Sequence, residues 1–112
     1  MSIHDLGNFT GTENWYRHMS QRVYTDGIKY LAEDQNCYWL IDEVLFAQTR
    51  TKIKAEPFQV WTLKTKDETG LLTCNDGNGN IVFKKKIPYT DFSQKEIKLY
   101  FCDSVLMLPS EY

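Results

Sequence analysis

The stretch Phe58-Gln-Val-Trp-Thr-Leu-Lys-Thr-Lys66 decides the fold. Apolar and polar residues alternate along it, the period of a strand with one face on a core and the other in water. The same period persists downstream. Residues 71–75 and 80–86 flank Asp76-Gly-Asn-Gly79, residues 97–102 make another strand, and residues 105–108 a last one. Asp76-Gly-Asn-Gly-Asn80 superficially matches the start of a calcium loop, but the twelfth position is Ile87 where an acidic ligand is required. No Lys-Ser/Thr follows to make a phosphate loop. A hairpin tip is the reading that remains, with glycines supplying positive backbone angles and Asp and Asn satisfying local amides.

Before Pro57 the period is helical. In residues 37–48, Leu40, Ile41, Val44, Leu45 and Gln48 trace one face, and Trp39, Glu43 and Phe46 another. A helix apolar on two sides is sandwiched between layers, so Trp39 and Phe46 are expected in the core. Thr10-Gly-Thr-Glu13 has the spacing of a capping box and predicts a first helix over residues 11–19. That helix would turn Trp15 and Met19 inward, and Arg17 and Gln21 toward water. Residues 22–31 read in two ways. Asp26-Gly27 is a hairpin-turn signal ahead of an alternating Ile28, Tyr30 and Ala32. Alternatively, Thr25 caps a helix that runs through Leu31 and Ala32. Gly27 would weaken a helix's first turn, which favours turn and strand. Helices first and strands afterwards mean a single α+β domain over residues 1–112, with residues 1–9 a loose lead-in. Two or more helices are expected on one face of a four- to five-stranded antiparallel sheet.

Several dense blocks stand out: Phe9-Thr-Gly-Thr-Glu-Asn-Trp-Tyr-Arg-His18, Tyr24-Thr-Asp-Gly-Ile-Lys-Tyr-Leu-Ala-Glu33, Tyr38-Trp-Leu-Ile-Asp42, Phe58-Gln-Val-Trp61, Tyr89-Thr-Asp-Phe92 and Leu108-Pro-Ser-Glu-Tyr112. Together with the Asp76–Gly79 tip, they resemble a family of small uncharacterised proteins found in bacteria, including cyanobacteria, and on plasmids and phages. The resemblance covers nearly the whole chain. It implies a single-domain protein in a mobile-element setting, where small proteins act as accessory factors or as inhibitors of host defence. The family is a domain of unknown function, so the resemblance transfers no catalytic residue.

Composition narrows the classes. The 112 residues carry a net charge of -2, with three Trp, seven Tyr and six Phe. The two halves are each nearly balanced, which argues against a bulk electrostatic nucleic-acid binder but leaves room for a local basic patch. Cys37, Cys74 and Cys102 are odd in number, far apart and without a ligand-spaced partner. They read as three reduced, buried thiols of a cytoplasmic protein. No apolar run approaches the ~18 residues of a membrane span, and no secretory leader pattern opens the chain.

Candidate chemistry is sparse. His18 could serve as a general base oriented by Asp26 or Asp42, with Cys37, Ser20 or Thr25 as nucleophile, but no nucleophile-elbow motif accompanies them. Asp42 and Glu43 are adjacent on a helix and so diverge, which argues against a metal site. No metal or cofactor is expected. Arg50, Lys52 and Lys54 would share one side of an extended segment, and Lys84, Lys85 and Lys86 run beside Phe83 and Tyr89. Basic side chains interleaved with aromatics suit single-stranded nucleic acid, although lysines also guard sheet edges. An unpaired 105–108 edge would suit a symmetric dimer.

The leading expectation is a non-enzymatic protein-binding accessory factor or inhibitor from a mobile element, an anti-CRISPR-type inhibitor of a defence ribonucleoprotein being the sharpest version. Interface energy concentrates in Trp, Tyr and Arg, which nominates Trp15, Tyr16, Arg17, Tyr30, Trp39 and Trp61. The alternative is a nucleic-acid-binding accessory protein using Arg50, Lys52, Lys54 and Lys84 to Lys86. A hydrolase around His18 comes third.

Overall fold

The computed structural model describes residues 11–112. The strands are β1 (Trp15–Arg17), β2 (Val23–Thr25), β3 (Phe58–Lys66), β4 (Thr69–Asn75), β5 (Ile81–Ile87), β6 (Glu96–Cys102) and β7 (Val105–Met107). The helices are α1 (Asp26–Asp34), α2 (Tyr38–Phe46) and the short α3 (Thr51–Lys54). All seven strands join one sheet in the order β1-β2-β7-β6-β3-β4-β5. Every pairing is antiparallel except β2 with β7. The architecture is α+β, with two more strands than the longest sheet expected and a mixed rather than purely antiparallel ladder.

The five strands after Pro57 form where alternation places them. β3 lies at the centre, with Trp61 opposite Cys74 and Leu99, and Leu63 opposite Leu72 and Ile97. Those six side chains are buried and face the helices, since residues paired across a ladder share a face. Leu40, Ile41, Val44 and Leu45 of α2 and Ile28, Leu31 and Ala32 of α1 complete one core. The Asp76–Asn80 segment is the hairpin tip expected. Its Asp76 carboxylate accepts from the Asn78 and Asn80 amides at 2.8 and 3.2 Å, with Gly77 and Gly79 at positive φ.

Several expectations need correction. Residues 15–17 are the edge strand β1 and not part of a helix, with Trp15 58% exposed and Met19 79% exposed. Thr10 of the supposed capping box lies outside the described residues. Thr12 instead donates its hydroxyl to the Asn14 carbonyl and accepts from the Asp26 amide. Residues 26–34 are a helix, not a turn and strand: Thr25 caps it, accepting from the Ile28 amide. Gly27 is tolerated because a Cβ there would stand 2.6 Å from both Glu111 Oε1 and Leu108 Cδ1. The helix gives up side-chain propensity at that position for close packing. Phe46 is 43% exposed and Trp39 is half-buried against the core, so only Trp39 approaches its expected place. Residues 51–54 are a helical turn, so Arg50, Lys52 and Lys54 do not line one side of an extended segment. Strand β7 sits between β2 and β6 and leaves no edge at residues 105–107 for a dimer.

Candidate functional site

The two faces of the sheet differ in kind. One row across it reads Lys98–Thr62–Thr73–Lys84, the next Glu96–Lys64–Leu71–Lys86, and a third Tyr100–Val60–Asn75. A further row runs Arg17–Val23–Val105–Cys102–Phe58. These rows lie opposite the helix side, because their residues alternate with the buried Trp61, Leu63, Leu72 and Leu99. Among the side chains of β3 to β6 on this open face, only Thr62 is buried, and it lies between Lys98 and Thr73. Lysine stems flanking a small residue cover it while their ammonium groups stay in water.

Charge divides the same way. Among the described strand residues, Arg17, Lys64, Lys66, Lys84, Lys86 and Lys98 fall on the open face, against the single carboxylate Glu96. Helices α1 and α2, on the other side, carry Asp26, Glu33, Asp34, Asp42 and Glu43 against Lys29 alone. Among the described residues none of the open-face lysines enters an ion pair. A chain of net charge -2 thus presents a locally cationic sheet.

At one corner of this face, Phe58, Tyr100 and Tyr112 form an aromatic cluster. Their ring centroids lie 5.0, 5.3 and 5.7 Å apart in edge-to-face arrangements. Such contacts follow the ring quadrupole and rigidify the cluster. Tyr112 remains 75% exposed.

Strand alternation splits the lysine run. Lys84 and Lys86 point to the open face, whereas Lys85 shares the face of Leu63 and Leu72 and pairs with Glu43 at 2.7 Å. Arg50 is also on the helix side, its guanidinium 5.4 Å from the centre of the Phe83 ring. A groove there is lined by Asp42, Glu43, Phe46, Arg50, Phe83 and Lys85. Lys85 is engaged there by a carboxylate and Arg50 by a ring, while Lys84 also borders the groove. Lys52 and Lys54 are exposed on α3. Lys64, Lys66 and Lys98 were missed by sequence reasoning, because only the register between β3, β4 and β6 gathers them.

The protein-contact candidates also divide. Trp61 is wholly buried and donates its indole N–H to Gln59 Oε1 at 2.9 Å. Tyr16 stacks on Tyr24 at 5.5 Å and donates to Asp26 Oδ1 at 2.8 Å, with the Lys29 ammonium 5.4 Å from its ring. Tyr30 and Trp39 are half-buried, and Trp15 and Arg17 are exposed on β1.

His18 is buried and linked to Asp42, but not to Asp26. The Ser20 amide can only donate, and it points at His18 Nδ1 at 3.0 Å. Nδ1 is therefore the acceptor in the neutral ring, and Nε2–H donates to Asp42 Oδ1 at 2.8 Å. The Ser20 hydroxyl also reaches Nδ1 at 2.8 Å, and Phe46 packs across the ring at 4.8 Å. The arrangement ties the loop after β1 to α2. Asp26 is occupied elsewhere, accepting from the Glu13 and Asn14 amides and the Tyr16 hydroxyl. Burial pushes the Cys37 thiol up to about 12, with Asp34 and Asp91 adding to it, far from a thiolate at neutral pH. Among the described residues no cluster of three His, Cys, Asp or Glu side chains suits a metal ion. No helix there is long and apolar enough to cross a membrane.

The sequence matches the profile of DUF6876, a family of unknown function, over residues 2–112. The chain belongs to that family. No curated protein and no solved structure is significantly similar to it.

Proposed function

We propose that this DUF6876 member binds nucleic acid through the open face of its sheet. The observation that carries the reading is the sorting of Arg17, Lys64, Lys66, Lys84, Lys86 and Lys98 onto one face, where the described strands add a single carboxylate, Glu96. Phosphates bound there would displace condensed counterions, so affinity must fall with salt. Three to five phosphate contacts correspond to a slope of about -2 to -4 in log K against log salt. The test is fluorescence anisotropy on labelled oligonucleotides across a salt series, for the wild type and for Lys64→Glu/Lys98→Glu. Each lost lysine should lower the slope by about one. Binding that ignores salt, or that survives the double reversal intact, would rule the reading out.

A second reading keeps the protein-binding accessory factor or inhibitor, with a mobile-element origin, a cytoplasmic location and a defence ribonucleoprotein as its sharpest target. It is supported by the exposure of three large apolar side chains, Trp15 on β1, Met19 in the loop after it and Phe46 on α2. Capture of one protein from host lysate in stoichiometric yield, undiminished by nuclease and abolished by Trp15→Ala, would favour it over nucleic acid.

A further inference from the structure

We infer that the nucleic acid is single-stranded and that an unpaired base stacks on Tyr112 at the Phe58–Tyr100 corner; the inference rests on the nucleic-acid reading above. Lysines alone do not distinguish a single strand from a duplex, since both carry phosphates. Rings do distinguish them: stacking needs a base whose face is not already covered by its neighbours.

The corner has the features that stacking requires. Tyr112 is 75% exposed, yet its ring is held by two edge-to-face contacts, to Phe58 at 5.3 Å and to Tyr100 at 5.7 Å. It is therefore a positioned ring and not a loose one, which reduces the ordering cost of binding. Tyr100 stands two residues from Lys98 along β6, so the two side chains leave the same face from Cα atoms about 7 Å apart. A backbone that crosses the Lys98–Thr62–Thr73–Lys84 row then brings its next base to the cluster. Gly77 of the neighbouring tip lies against Phe58, and the Asp76 carboxylate beside it is taken up by loop amides. The floor between rings and lysines is Val60, Thr62 and Thr73, small enough to let a strand lie flat.

The experiment compares a fluorescein-labelled oligo-thymidine strand with a labelled duplex of equal length, and polyglutamate as a competitor. Wild type, Tyr112→Ala and Tyr112→Trp are measured at one salt concentration. The single strand should bind at least about tenfold more tightly than the duplex. Tyr112→Ala should weaken single-strand binding about fivefold to a hundredfold, the range of one lost stacking contact. Tyr112→Trp should restore it, and duplex binding should change little in either variant. The ring is exposed, so circular dichroism of Tyr112→Ala should match the wild type. Equal, salt-sensitive binding of strand and duplex, indifferent to Tyr112→Ala, would overturn the stacking inference and leave the nucleic-acid reading standing. No binding to either, or displacement by polyglutamate as effective as by unlabelled strand, would overturn both.

Discussion

Gln48 and Gln59 face each other inside the core and exchange two hydrogen bonds, Gln48 Nε2 to Gln59 Oε1 at 2.8 Å and Gln59 Nε2 to Gln48 Oε1 at 2.9 Å. Each is 1% exposed. Gln59 also donates to the Ile53 and Glu56 carbonyls and accepts from the Trp61 indole. The pair joins the turn after α2, the α3 turn and the central strand without leaving a buried polar side-chain atom unpartnered among the described residues. Replacing one member strands several groups in a low-dielectric interior, at about 1–3 kcal/mol each. Gln48→Leu should therefore lower stability by about 1–3 kcal/mol and Gln59→Leu by more. The double variant should cost less than the two combined, because neither amide is then left without the other. Urea unfolding of the three variants measures the coupling, and strict additivity would contradict the pairing.

The start of α1 is capped from a distance. Glu111 accepts from the Thr25 hydroxyl at 2.6 Å, the Leu108 amide at 2.9 Å and the Gly27 amide at 3.2 Å. Gly27→Ala gains about 1 kcal/mol of helix propensity, but its methyl would displace the carboxylate and loosen bonds to a charged acceptor worth about 1.5–3 kcal/mol each. A net loss of about 1–2 kcal/mol is expected. In a Glu111→Ala background the same substitution should cost less. A thermal-melt cycle that shows no such coupling would remove Glu111 from this role.

Asp26 supplies a pH dependence. The Tyr16 hydroxyl, followed by the Glu13 and Asn14 amides, holds its carboxyl below the ordinary value of 3.8. A carboxyl depressed in the folded state adds stability above the unfolded pKa and loses it as pH falls through the folded value. The gap in melting temperature between wild type and Asp26→Asn should thus be widest above pH ~5, where the carboxyl is ionised in both states. It should close in stronger acid. A gap that stays constant from neutral pH to about pH 2 would show that ionisation of Asp26 does not matter.

The thiols should react in order of burial. Cys37 and Cys74 are buried, and desolvation pushes each up to about 12. Cys102 is partly exposed and raised less, by burial and then by Asp103. Iodoacetamide on the native protein should modify Cys102 first and slowly, and reach the other two only on unfolding. Early modification of Cys37 or Cys74, read by peptide mass spectrometry, would contradict the packing.

The central strands and α2 were legible because each is long enough to show its period, as in Phe58–Lys66 and in Leu40, Ile41, Val44 and Leu45. The misreadings share a cause in distant partners. Asp26-Gly27 has the local chemistry of a hairpin, and only Glu111 and Leu108 show why a helix keeps glycine there. β1 and β2 have three residues each, too few for a period, and exist by pairing with each other and with β7. The candidate site was half visible. Lys84 and Lys86 were noticed as part of a run, but their separation from Lys85 and their grouping with Lys64 and Lys98 are facts of register.

The parallel pairing of β2 with β7 also sets an order of assembly. Strands β1 and β2 join the rest of the sheet through β7, by the Val23–Val105 and Tyr24–Leu106 pairs, and the start of α1 is held by Glu111. During synthesis the β3–β6 region can pair as it emerges. The β1–β2 pair that leads it from the ribosome must wait for docking partners that emerge more than eighty residues later. Such late, long-range closure slows folding and prolongs exposure of an unpaired edge, so for this chain a stalled ribosome or a clipped tail would release a nascent sheet with its first strands undocked.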